Sequence, residues 1–295
     1  MSDPALRVGG MACGNGVFMR GPRFWALARA DGTLLEGPVR SLLPRHRWLR
    51  LPLLRSAIAL VEMLAMTILL HRRNGVRPAA SLLAWLALAM LCSLGFSVVL
   101  PALIHGTLLA GALLEVLSFA LALLALRQGL GEAVWRYHGA EHKAVNAYEA
   151  GADLSDAEAV MAHSRIHDRC GTNLVTFIVV LLIAGYLPLG GRPLADQLGG
   201  LYSVLVLVLA LELFRLVGRW PRAPLSRVAL AGGRTLQRCL TTREPAPLHL
   251  EPACTALRRV LELEGAAPSR PPAAVTPPRP EGEPVSGLGC TGRAS

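Results

Sequence analysis

The chain has 295 residues, 53% of them hydrophobic and only 17% charged, with a formal net charge of +10. A mean hydropathy of +0.44 is too apolar for an ordinary soluble domain, so composition points to an integral membrane protein. Nucleic acid is not expected as a partner: aromatics are only 5%, and the arginines crowd beside apolar runs as the positive flanks of membrane segments do.

Six cysteines (Cys13, Cys92, Cys170, Cys239, Cys254 and Cys290) are scattered without repeated spacing, which argues against a disulfide framework and for a reducing face. Residues 1–20 contain no apolar core of a secretory signal. Residues 8–22 carry five glycines and follow neither a helical nor a strand period, so they read as a glycine-rich loop that allows close backbone approach. Phe24–Arg29 and Thr33–Glu36 flank Ala30-Asp31-Gly32, an Asp-Gly signal for a small β-hairpin within a segment ending near residue 50.

Helical patterning follows from residue 53. Residues 53–70, in a segment 51–78, have strongly positive flanks on both sides and read as an interfacial or re-entrant helix, with a fifth span as the alternative. Residues 79–100 lack any charge and 107–126 carry only Glu115, which gives one transmembrane hairpin over 79–126. Residues 174–189 and 199–217 give a second hairpin over 174–217, with Glu212 near its end. The connections at 101–106 and 188–198 hold no and one basic residue, whereas 127–173 and both terminal regions hold many more. The expected fold is therefore mainly α and integral to the membrane, with four spans and both termini and the central polar segment on the cytoplasmic side. Residues 218–264 read as a basic, partly helical segment and 265–295 as a disordered tail rich in Pro, Gly, Ala and Arg. Glu62, Glu115 and Glu212 stand in apolar surroundings, where an acid either reaches water at an interface or marks function.

The central polar segment holds most of the reactive chemistry. In Tyr137-His138-Gly139-Ala140-Glu141-His142-Lys143, two histidines four apart share a helix face, about 6 Å apart along the axis. That spacing suits a shared divalent metal, and Glu141 between them can serve as general base toward a water there. The helix is expected from Glu132 to Ala150, with Gly151 as its C-terminal stop. Glu149 lies on the same face about 10 Å beyond His142, which suits a supporting role better than ligation. A capping-box pattern, Ser155-Asp156-Ala157-Glu158, opens a second helix toward His163 and His167, and Thr172 or Asn173 can cap the next span. If the two polar clusters meet, His138, His142, His167 and Cys170 offer nitrogen and sulfur ligands suited to zinc. Three of them would leave an open, catalytic site with Glu141 as base and Lys143 or Arg169 stabilising negative charge; all four would close a structural one. The chain has 29 Arg and a single Lys, Lys143, which hints at a task for a compact ammonium.

These motifs, with Asn146, Tyr148-Glu149 and His167-Asp168-Arg169-Cys170-Gly171-Thr172, resemble the signature of the bacterial YqhQ family, membrane proteins of unknown function expected to depend on a metal. Gly16-Val17, Met19-Arg20-Gly21-Pro22 and Leu240-Thr241-Thr242-Arg243-Glu244-Pro245 extend the resemblance over roughly residues 8–262. It implies a metal site at His138, Glu141, His142, His167 and Cys170, and a place in the bacterial inner membrane, but no reaction. The family pattern carries Gln and Glu where this chain has Met11 and Asn15, and Pro where it has Asp168. The leading expectation is a cytoplasm-facing, membrane-embedded metal-dependent enzyme, hydrolytic in type, with zinc as the metal. Its partners would be the bilayer and an unidentified substrate, with a protein partner or homo-oligomer left open. The alternatives are a scaffold with a structural metal, or a transporter using Glu115 and Glu212.

Overall fold

The structure is a computed structural model that describes residues 6–41, 54–73, 123–185, 200–220 and 223–266, with isolated positions between these stretches. Four antiparallel strands, β1 (Gly9–Cys13), β2 (Gly16–Arg20), β3 (Phe24–Arg29) and β4 (Leu34–Pro38), form a meander in the order β1-β2-β3-β4. The Asp-Gly hairpin is present as β3–β4, with Gly32 at φ 82° where a side chain would be strained. The glycine-rich stretch read as a loop is instead the β1–β2 hairpin, turned by Gly14-Asn15. Its glycines hid the period. A Cβ on Gly16 would run into the Ala28 carbonyl of the neighbouring strand, so that position accepts no side chain.

Helices α1 (Leu54–Arg73), α2 (Glu132–Glu149), α3 (Ala157–Met161), α4 (Gly171–Ala184), α5 (Gly200–Arg219), α6 (Pro224–Leu236) and α7 (Pro247–Glu264) accompany the sheet, with a second, two-stranded pair formed by Pro188–Leu189 and Arg192–Pro193. A π turn, Gln237–Thr241, follows α6 directly. Helices α2 and α7 pack side by side on one face of the sheet, α2 over the β1 edge and α7 over β2 and β3. Val17, Met19, Ala26 and Ala28 meet Ala140, Ala144, Leu250, Leu257, Val260 and Leu261 there in a single core. Helix α7 lies in the stretch expected to be merely basic and partly helical, yet its residues 250, 253, 254, 257, 260 and 261 recur at the helical period and are buried. Glu264 at its end accepts hydrogen bonds from the Arg23 and Phe24 amides at 2.6 and 2.8 Å and pairs with the Arg23 guanidinium, tying α7 to the β2–β3 turn.

The expectation of an integral membrane protein with four spans is corrected. No helix among the described residues is long and apolar enough to cross a membrane. Helix α4, where the third span was expected, has 14 residues, about 21 Å at 1.5 Å per residue against a hydrocarbon core of about 30 Å. Helix α5, at the fourth, carries Glu212, which binds Arg55 and Ser56 of α1. Helix α1 covers the segment read as interfacial or re-entrant. It packs on α5, and its Met66 lies under Phe18, Trp25 and Leu27 on the second face of the sheet. The expected first span (79–100), most of the second (107–126, with Glu115) and nearly all of the tail (265–295) lie outside the described residues.

Candidate metal centre

Helix α2 starts after Gly131 at φ 78° and stops before Gly151 at φ 78°, close to its expected limits. One of its faces is committed to the sheet core. The other meets two segments from far along the chain, the turn 161–170 and the stretch 241–245. Gly139 makes the second contact possible, because a Cβ there would come under 3.0 Å from the Arg243 carbonyl oxygen. The Arg243 amide in turn donates to the Trp135 carbonyl at 2.9 Å.

These contacts bring His138, His142 and Cys170 together, with one ligand atom from each lying within 4.8 Å of the others. His138 Nδ1 is 2.6 Å from the Thr241 carbonyl oxygen, and His142 Nδ1 is 2.7 Å from that of Arg165. A carbonyl only accepts, so each Nδ1 carries the proton and each Nε2 keeps a free lone pair. Backbone tethers of this kind fix the tautomer and orient a metal-binding ring. His138 Nε2 lies 3.3 Å from Cys170 Sγ. Tetrahedral zinc places its nitrogen and sulfur ligands about 3.3–3.8 Å apart, a spacing that the His138–Cys170 pair meets.

Cys170 is the N-cap of α4, with its sulfur accepting from the Thr172 amide at 3.4 Å, so the cap expected at Thr172 or Asn173 falls two or three residues earlier. Burial pushes the thiol up, but the neighbouring His142 and the hydrogen bonds with the Thr172 hydroxyl and amide outweigh it and hold the pKa below its ordinary value. Burial drives His142 the other way, toward the neutral imidazole that a metal requires. Glu141 is 6% exposed, and its Oε2 has no hydrogen-bond partner among the described residues. Burial pushes its carboxyl up to about 8, with His138 pulling down and Cys170 pushing further up. Strand β1 abuts it: a Cβ on Gly10 would lie 2.7 Å from Glu141 Oε1.

The remaining expected residues stand around this cluster. His167 turns to Glu149, with Nε2 at 3.5 Å from Oε2, and its ring lies 5.8 Å from that of His142. Glu149 also binds Arg169. Burial pushes the Glu149 carboxyl up, but these two partners outweigh it and lower it to about 2. The Lys143 ammonium is buried and donates to the carbonyls of Met161 and His163, both at 2.7 Å, and to Glu244 at 2.8 Å. Three N–H donors meet three acceptors, a task for which a planar guanidinium has the wrong shape. Asn146 adds bonds to the Ser164 and Ile166 carbonyls, so α2 grips the whole turn that carries the Arg165 tether. Asp168, at the position where the family pattern has Pro, forms a two-pronged pair with Arg234 at 2.7 Å on each arm. Helix α3 is capped by Asp156, which accepts from the amides of Glu158 and Ala159, rather than by Ser155.

Sequence reasoning missed the tethers. Gln237 holds the His167 backbone through both its amide atoms, at 2.9 and 3.1 Å. Thr241 supplies the carbonyl for His138 and joins its hydroxyl to Thr172 at 3.0 Å. Both belong to the π turn, a local irregularity that often marks functional sites. The run 240–245 was visible as a motif; its purpose was not.

A sheet carrying two helices, with two histidines and a cysteine gathered where a third helix begins, defines an α+β protein with a candidate metal centre. The chain belongs to the family described as "Protein of unknown function (DUF1385)", whose model matches residues 51–263. The uncharacterized protein YqhQ of Bacillus subtilis (strain 168) is 32% identical over 133 residues, which is 44% of this chain and 41% of that relative's length. The matched part therefore spans about two fifths of the relative, and the family resemblance drawn from the motifs stands on these two findings. No solved structure matches the chain.

Proposed function

We propose that this chain is a zinc-dependent hydrolase whose metal is held by His138, His142 and Cys170. The observation that carries this reading is the convergence of three donors, two of them histidines with Nδ1 already committed to backbone carbonyls. Three protein ligands are the number that catalytic zinc sites use, with the fourth position left for water or substrate. Bound zinc supplies Lewis acidity toward a polarised carbonyl or phosphoryl oxygen. Glu141 supplies the base. It is one residue from a ligand and buried, and its free oxygen can take a proton from an attacking water and return it to the leaving group. Lys143 and Arg169 act at a distance here, Lys143 by holding the turn 161–163 and Arg169 by holding Glu149.

Metal analysis of the purified chain should find about one zinc per molecule, lost in His142→Ala. Glu141→Gln should keep the zinc and lose hydrolysis. Purified protein without stoichiometric transition metal overturns the reading, and X-ray absorption showing four protein ligands with no water would make the site a structural one in a scaffold.

A further inference from the structure

Among the described residues, strand β1 lies at the edge of the sheet, and its Gly10 abuts Glu141 of the helix packed over it. The turn between β1 and β2 has only two residues, so Cys13 and Gly16 must exchange both backbone hydrogen bonds. The alternation of an antiparallel ladder then assigns the bonded pairs to Cys13–Gly16, Met11–Phe18 and Gly9–Arg20. Gly10 and Ala12 consequently turn their N–H and C=O groups outward, away from β2. Among the described residues, neither of them makes a backbone bond beyond the sheet. Gly9 and Gly10 are exposed, nothing stands within 4 Å of a Cβ built on Gly9, and Gly10 is the residue that abuts Glu141. Bare glycine backbone on an edge is where a second backbone can approach closely.

We infer that this edge binds the substrate, and that the substrate is a polypeptide in extended conformation, laid against Gly10 and Ala12 as an added strand. The inference rests on the hydrolase reading of the same site and narrows it to peptide bonds. Strand addition satisfies the outward groups of Gly10 and Ala12 through the peptide's own main chain, so affinity comes without a fixed side-chain sequence. It also orders the substrate's peptide groups along a line that passes Glu141. There the oxygen of water bonds to the acyl carbon and the C–N bond breaks. The proton taken by Glu141 goes to the departing amine, so one water is consumed and a carboxylate and an amine are released. A second copy of this chain is the competing occupant, pairing edge to edge.

The test uses the zinc-loaded full chain and β-casein, an unfolded protein, with p-nitrophenyl acetate as a small ester. Casein cleavage by the wild type, absent in Glu141→Gln, is expected. Ala12→Pro removes the outward N–H without touching a β1–β2 bond, and should cut kcat/KM for casein about tenfold or more at unchanged zinc content and circular dichroism. Should that variant fail to fold, a cleaved casein peptide resynthesised with backbone N-methyl groups on its flanking residues gives the reciprocal test: slow cleavage is expected, and unimpaired cleavage overturns the inference. Ester hydrolysis without peptide cleavage overturns the inference and leaves the hydrolase standing, whereas a zinc-free protein removes both. A dimer in sedimentation that Ala12→Pro dissociates would give the edge to a second copy and overturn it as well.

Discussion

Gly139→Ala sets two opposite effects against each other. In an isolated helix, alanine for glycine stabilises by about 1 kcal/mol. Here the new Cβ would come under 3.0 Å from the Arg243 carbonyl oxygen, which is backbone and cannot rotate away. Relief requires α2 and the 241–245 stretch to separate by about 1 Å, and overpacking of this kind costs about 1–3 kcal/mol. The same movement stretches the 2.6 Å bond from His138 Nδ1 to Thr241 toward about 3.6 Å, where it is no longer a hydrogen bond. Losing such a tether lowers metal affinity by about 10–100-fold. The expected result is a melting temperature no higher than wild type and a weaker zinc complex, read by thermal unfolding and by competition with a chromophoric chelator. Gly218→Ala, in a helix with open space around that position, is the control and should melt at or above wild type. If Gly139→Ala melts higher and binds zinc equally well, the close approach is not what brings the cluster together.

Lys143→Arg should destabilise nearly as much as Lys143→Met, by about 2–3 kcal/mol in denaturant titrations, because the ammonium is buried and a guanidinium cannot meet the same three acceptors. An arginine variant with wild-type stability would refute the geometric reason for the chain's single lysine. The lowered carboxyl of Glu149 makes a stabilising contribution that is complete above its unfolded value near 4.5 and disappears as pH falls through about 2. With the side chain 31% exposed, solvent limits this to about 2 kcal/mol. Wild type and Glu149→Gln should therefore converge in stability between pH 4.5 and 2; a constant gap over that range would mean that the pair with His167 and Arg169 does not form.

The two helix limits at Glu132 and Gly151 and the hairpin at Asp31-Gly32 were legible because each depends on a few neighbouring residues. The β1–β2 hairpin was not: its glycines are present because Ala28 and Glu141 crowd Gly16 and Gly10 from distant parts of the chain. Helix α7 showed the right apolar spacing, but Pro247, Pro252 and its charged residues obscured it within a basic segment. Hydropathy misled over the spans because it counts apolar residues without recording that Glu212 is answered by Arg55 or that α4 stops at Ala184.

Within the candidate metal centre, the sequence by itself determined that His138, Glu141 and His142 share one helix, since a period of 3.6 residues leaves no other arrangement. It also placed a second polar cluster with Cys170 and His167 some thirty residues on. Which of those two joins the histidines was decided by tertiary structure alone. Cys170 caps α4 and turns its sulfur to His138, while His167 is drawn to Glu149 and pinned by Gln237. The physical reason is that ligand geometry depends on sub-ångström placement by carbonyls at Arg165 and Thr241, and backbone carbonyls carry no signature in an amino-acid sequence.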